Sequence, residues 1–200
     1  VLRCDVIHAD VDADSIFECT QETLNWVRNA YIKTQLANMH CGIPSDCPHR
    51  ERLGYTGDGQ LTADTVMTVF DAEKMYRKWI RDIADSQDIY NGHVQHTAPF
   101  YGGGGGPGGW GGAAVIVPYR YYKFYDDKDV LRESYESMKA YLKYMVNHTE
   151  DGIVTSEEPG GWCLGDWCTL EKTVIPESYV NTCLYVKQLG ILKQISELLG

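Results

Sequence analysis

Apolar residues recur along the chain at the three-to-four-residue period of helices packed on one side. Leu24, Val27, Tyr31, Ile32 and Leu36 mark a first helix ending near Met39, with Thr20 as its cap. A loop with Gly42, Pro44 and Pro48 follows, and a second helix is expected from about Gln60 to Phe70. Asp71 is then placed to cap a third, whose Met75, Trp79 and Ile83 form one stripe. Ala113 to about Phe124 reads as helix bent at Pro118, and Asp129 to Val146 carries Val130, Leu131, Tyr135, Met138, Leu142 and Met145 on one side. A further helix runs from about Pro176 to Leu189, where Gly190 is expected to break it, and Ile191 to Leu199 begins another. Strand signals are sparse, with at most a short strand in the acidic lead-in around residues 8–14, so the fold class is all-α.

The connections are unequal. A short turn joins the second and third helices, whereas residues 91–112 and 150–172 are long and rich in aromatic, acidic and glycine residues. A simple four-helix bundle would have short loops throughout. Helical hairpins stacked side by side or closed into a ring, with the long loops at one end, fit better.

Charge and composition narrow the chemistry. With 28 acidic against 18 basic residues the net charge is −10, which argues against nucleic acid and anionic membranes as partners. The longest apolar run, Ala113 to Val117, is far short of the roughly 20 residues that span a bilayer. Seven cysteines are an odd number, and neither Cys41 with Cys47 nor Cys163 with Cys168 has zinc-ribbon spacing, although His40 and His49 flank the first pair. Buried thiols are the expected reading, with no metal and no cofactor. Gly104, Gly106 and Gly109 match a dinucleotide fingerprint only formally, because no hydrophobic strand precedes them. Trp110, Trp162 and Trp167 stand in glycine-rich surroundings, and flat rings near carboxylates suit polyhydroxylated ligands.

The densest chemistry is Ser45-Asp-Cys-Pro-His-Arg-Glu-Arg-Leu-Gly-Tyr-Thr-Gly-Asp58, with three carboxylates and two guanidiniums in fourteen residues. By default such a stretch is a solvated loop with surface ion pairs. Its proline and glycines argue against helix, and Arg50 and Arg52 can hold neighbouring carboxylates in different protonation states. That is what glycosidic cleavage needs: one carboxyl to protonate the leaving oxygen and one ionised to activate water or attack.

The string from Asp46 to Asp58 resembles the signature of bacterial alpha-L-rhamnosidases of glycoside hydrolase family 78. Supporting segments follow the family's order: Phe17-Glu-Cys-Thr20 and Asn38 upstream, Trp110-Gly-Gly-Ala-Ala with Val117-Pro-Tyr119, and Leu164-Gly-Asp166-Trp167 downstream. The resemblance implies part of an (alpha/alpha)6 barrel and inverting hydrolysis of terminal alpha-L-rhamnose on an oligosaccharide or glycoside. It implies Glu51 as general acid, with Asp46, Arg50, Tyr55, Asp58, Trp110, Asp166 and Trp167 lining the sugar site. The general base of the family lies on a later hairpin. Residues 1–200 are accordingly expected to be the N-terminal portion of a catalytic domain, supplying about seven of twelve helices, whose remaining part beyond Gly200 is a required partner.

Two departures qualify the match. Gly112 stands where the family commonly has Asp, and Tyr55 where many members have Trp. The first keeps open another deoxy sugar or a uronate-bearing glycan as substrate; a carbohydrate-binding or scaffold module that kept the pocket and lost the chemistry is the alternative from a different class. Enzymes of this kind occur inside cells and exported; the sequence leaves the compartment open, with a periplasmic or extracellular placement favoured over a cytoplasmic one.

Overall fold

The computed structural model describes residues 1–102, 109–155 and 174–200. Six helices form among them: α1 (Glu22–Asn38), α2 (Thr56–Val69), α3 (Glu73–Asp85), α4 (Ala113–Tyr125), α5 (Lys128–Val146) and α6 (Glu177–Leu199). Two hairpins of two-residue strands accompany them, β1 (Met39–His40) with β2 (Ile43–Pro44), and β3 (Thr149–Glu150) with β4 (Ile153–Val154), both antiparallel.

Helices pack both on their sequence neighbours, α4 on α5 most extensively, and on the next helix but one. Helix α4 packs on both α2 and α6, and α3 packs on α5, while α4 also contacts α3 and α5. Thus α2, α4 and α6 make one row and α3 and α5 a second row behind it, which is the layering of successive helical hairpins turning into an alpha/alpha ring. Helix α4 is central because its sequence permits it: Ala113 to Pro118 are all buried, whereas the terminal Lys123 and Phe124 reach outward. The helix continues through Pro118.

The expected stripes supply the core. Met75, Trp79 and Ile83 of α3 are buried, as are Val130, Leu131, Met138, Leu142 and Met145 of α5, with Tyr135 packed partly against them. Burying a large apolar side chain contributes about 1.5–3 kcal/mol, so these two stripes outweigh weak local signals. The first helix is different, since Leu24 and Val27 are about half exposed and only Tyr31, Ile32 and Leu36 reach the core.

Several boundaries depart from expectation. Helix α2 begins at Thr56, so Thr56, Gly57 and Asp58 belong to its first turn rather than to the charged loop. Its glycines serve close approach: a Cβ on Gly59 would lie 2.8 Å from Cζ2 of Trp79, and one on Gly57 would lie 2.5 Å from Cδ2 of Trp110. Gly190 does not break α6, so there are six helices, not seven, among the described residues. Asn181, Tyr185, Gln188, Ile191 and Ile195 keep one continuous buried face across it, which offsets the roughly 1 kcal/mol a helical glycine costs. Thr20 and Asp71 are not caps; Gln21 and Ala72 hold those positions with no side-chain cap bond, and the N–H of Asp71 is tied to Asp12 O at 2.9 Å. The lead-in contains no strand. No helix of the described residues is long and apolar enough to cross a membrane.

Candidate active site

The charged loop is launched by a tight hairpin. Cys41 and Gly42 both take left-handed backbone, with φ of 54° and 71°, as a two-residue turn matched to strand twist requires. Beyond β2 the Ser45 N–H donates to Asn38 O at 2.7 Å and its hydroxyl to Asn38 Oδ1 at 3.4 Å, so the end of α1 fixes where the loop starts. Residues 48–51 then turn back, closed by Arg52 Nε donating to Pro48 O at 2.6 Å.

Within that turn Asp46, Cys47 and Glu51 converge. The Cys47 Sγ lies 2.8 Å from Asp46 Oδ2 and 2.9 Å from Glu51 Oε2. Arg50 Nε donates to the same sulfur at 3.4 Å and sits 3.4 Å from Glu51 Oε2. The thiol hydrogen bond, followed by the loop backbone and the Arg50 and His49 charges, holds the Glu51 carboxyl below its ordinary value; the two carboxylates push the thiol up. Arg50 therefore meets the expectation of a guanidinium on a carboxylate, whereas exposed Arg52 serves the backbone.

Tyr55 is pinned opposite by the loop before the glycine run. Ala98 N–H donates to Gly54 O and Thr56 N–H to His96 O, each at 2.9 Å, with Tyr55 bridged to Thr97 between them. That loop is itself anchored by the wholly buried Trp79, whose indole N–H donates to Ala98 O at 2.9 Å. The Tyr55 ring meets Trp110 edge-on, 5.5 Å between centroids at 80°, and lies 5.9 Å from the His96 ring. Such an aromatic pair contributes about 0.5–1.5 kcal/mol beyond its burial. Gln60, one turn into α2, donates to Gly109 O at 3.1 Å and so holds the backbone entering Trp110.

Asp58 joins electrostatically. Burial, then the charge of Asp46, pushes its carboxyl up. Tyr55 is pushed up by burial and then by Glu51, Asp46, Cys47 and Asp58, so its hydroxyl sits in the field of all three carboxylates. The structure thus gathers Asp46, Arg50, Glu51, Tyr55, Asp58 and Trp110 around the N-terminal ends of α2 and α4. Asp166 and Trp167, like Trp162, Glu157 and Glu158, lie outside the described residues. His96 and Gln60 join the site by contacts that no local motif announces, and Cys47, inside the charged string, joins it through its two carboxylate neighbours.

One oxygen each of Asp46 and Glu51 and the Cys47 sulfur lie within 4.8 Å of one another, the one cluster of metal-ligand type among the described residues, and its internal distances are those of hydrogen bonds. The flanking His40 and His49 are not drawn into it. All five described cysteines are free thiols, three of them exposed, contrary to the expectation of burial. A separate cleft of about 770 Å³, lined by Asp88, Tyr90, Lys143, Tyr144 and His148, contains none of the predicted sugar-contacting residues.

Residues 12–200 match the family model described as the bacterial alpha-L-rhamnosidase 6 hairpin glycosidase domain. The chain belongs to this family. A curated alpha-L-rhamnosidase of Streptomyces avermitilis is 30% identical over 197 residues, covering 98% of this chain and 18% of that protein. One from Formosa agariphila is 27% identical over 177 residues, covering 84% and 18%. Among solved structures, the alpha-L-rhamnosidase from Dictyoglumus thermophilum superposes with a TM-score of 0.88 at 32% identity, over 98% of this chain and 22% of that one. The Streptomyces avermitilis alpha-L-rhamnosidase complexed with L-rhamnose gives 0.87 at 29% identity, over 96% and 18%. The chain spans less than a quarter of the length of these relatives. Its two rows of helices are therefore a portion of the six-hairpin alpha/alpha barrel.

Proposed function

We propose that this segment carries the acid side of a glycoside hydrolase site that removes terminal alpha-L-rhamnose from oligosaccharides or glycosides by inversion. The observation that carries the reading is the convergence of Asp46, Glu51 and Asp58 around the Tyr55–Trp110 pair. A neutral deoxy sugar offers hydroxyls and apolar ring faces, and these residues offer acceptors and aromatic surface. The similarity to a rhamnosidase complexed with L-rhamnose supports that sugar.

In this reading Asp46, Arg50 and Asp58 bind hydroxyls, and Tyr55 and Trp110 wall the sugar. Glu51 protonates the leaving oxygen. Its carboxyl is held low in the open turn, so it must gain its proton as the sugar arrives: displacing water from an exposed carboxylate disfavours the charge and moves it upward. The base that activates water roughly 6.5–9.5 Å away is proposed to lie in a later part of the barrel, beyond Gly200. A second assignment rests on one observation, that Asp58 is the carboxyl pushed up by burial and hence the one holding its proton to higher pH.

Glu51→Gln and Asp58→Asn in the full-length protein separate the two assignments. Loss of the acid should reduce turnover of an alkyl rhamnoside by about 10²–10⁴-fold while largely sparing a dinitrophenyl rhamnoside, whose leaving group needs no proton. Glu51→Gln is expected to show that pattern; if Asp58→Asn shows it instead, the roles are exchanged. Absence of turnover of any rhamnoside by the intact wild-type protein would overturn the substrate.

A further inference from the structure

Cys47 stands between the two carboxylates that the proposed reaction uses differently. Its sulfur touches Oδ2 of Asp46 and Oε2 of Glu51, at 2.8 and 2.9 Å. Arg50 approaches the same Glu51 oxygen, at 3.4 Å. Both neighbours therefore hold Oε2, and the Glu51 backbone N–H supports the same carboxylate. On the other side Oδ1 of Asp46 is shielded from water and has no hydrogen-bond partner in the described residues.

The thiol suits this position. Two carboxylate oxygens this close repel, and a short side chain between them offers one S–H that either oxygen can accept in turn, while Arg50 Nε donates to the same sulfur and offsets the crowded negative charge. The Glu51 side chain is 39% exposed on a turn, so without an anchor it keeps rotamer freedom that is costly to freeze. Restraining it before substrate arrives shifts that cost out of the chemical step.

We propose that Cys47 is a positioning residue for the hydrolysis, its single S–H shared between Oε2 of Glu51 and Oδ2 of Asp46, which holds the Glu51 carboxyl in place to meet the glycosidic oxygen. This rests on Glu51 being the proton donor. Cys47 itself touches no reacting atom; it acts through its two neighbours.

Kinetics of Cys47→Ala and Cys47→Ser in the full-length protein test this, with Glu51→Gln measured in parallel. For the alkyl rhamnoside, Cys47→Ala should lower kcat by about 10–100-fold with KM changed by less than about threefold, since a misplaced acid weakens only the transition state. The dinitrophenyl rhamnoside should be hydrolysed at nearly the wild-type rate, and Cys47→Ser, which keeps a donor, should recover most of the loss. Equal losses on both substrates, or none on either, overturn the proposal. If Glu51→Gln turns over the alkyl substrate normally, the proton-donor assignment falls and this proposal with it. If Glu51→Gln is inactive while Cys47→Ala matches wild type, only the role of Cys47 falls. Should Cys47→Ala not fold, Cys47→Val, which fills the space without a donor, against Cys47→Ser makes the same comparison.

Discussion

The side chain of Gln188 occupies the space that any side chain on Gly112 would need. A Cβ at 112 would lie 2.8 Å from Gln188 Cδ, and closer still to its Nε2. Gly112 has φ −58°, ordinary for every residue, so the exclusion is one of volume and not of backbone. Gln188 is 1% exposed, and neither polar atom of its amide has a hydrogen-bond partner among the described residues. A side chain at 112 and the Gln188 side chain where it lies are thus alternatives in this fold.

Introducing Gly112→Asp alone is expected to destabilise the full-length protein by at least about 1–3 kcal/mol, the usual cost of overpacking, because the amide must leave a closed core. Removing the obstacle with Gln188→Gly should restore much of it, giving a strongly non-additive double-mutant cycle in thermal unfolding. A Gly112→Asp protein as stable as wild type would show that Gln188 moves aside freely and does not determine residue 112.

The same logic applies at Gly57, against which the Trp110 indole is laid. A methyl group there would press on Cδ2 at 2.5 Å and Nε1 at 2.6 Å. Gly57→Ala should rotate the indole away from Tyr55 and weaken L-rhamnose binding, read as a reduced ligand-induced change in tryptophan fluorescence, although alanine is the better helix former by about 1 kcal/mol. Unchanged binding together with raised stability would mean that the Trp110 wall is not used by the sugar.

These two glycines also show why the chain is legible in some places and not in others. The stripes on α3 and α5 are local: their period alone marks Met75, Trp79 and Ile83 as interior, and they are. Glycines in a charged stretch read locally as loop formers, but Gly57 and Gly59 are helical because Trp110 and Trp79, remote in sequence, require bare backbone opposite them. Gly190 misleads for the same reason, since the buried face of α6 continues on either side of it. The site divides likewise. Asp46, Arg50, Glu51, Tyr55 and Asp58 lie in one segment and were visible as a group. The clamps that orient them, from Gln60 to Gly109 and from Thr56 to His96, depend on tertiary approach and leave no spacing to read.

One local signal was displaced by a residue or two with a measurable consequence. Helix α5 is capped by Asp127, whose Oδ1 accepts from the N–H of Asp129 at 2.8 Å and of Val130 at 3.4 Å. The same carboxylate group lies 3.8 Å from Arg77 of α3 through Oδ2. Asp127→Ala should therefore cost about 0.5–2 kcal/mol in thermal unfolding, and Asp127→Asn, which keeps the cap and loses the charge, should recover most of it. Equal losses in both variants would assign the effect to Arg77 and not to the cap.

Asp58 gives a pH dependence with a definite sign. Burial, aided by the charge of Asp46, raises its carboxyl above the value it has in the unfolded chain. The folded protein therefore holds this proton more tightly than the unfolded one. The stabilisation linked to it is full below the ordinary aspartate value and is lost as pH rises through the raised folded value. Asp58→Asn, which mimics the protonated carboxyl, removes that loss. Its melting temperature relative to wild type should be higher at pH 7 than near about pH 4, the ordinary aspartate range, the gap shrinking steadily as the medium is acidified. A gap that widens on acidification would mean that Asp58 is stabilised as a carboxylate, and it would remove the one observation that favours Asp58 over Glu51 as the proton carrier.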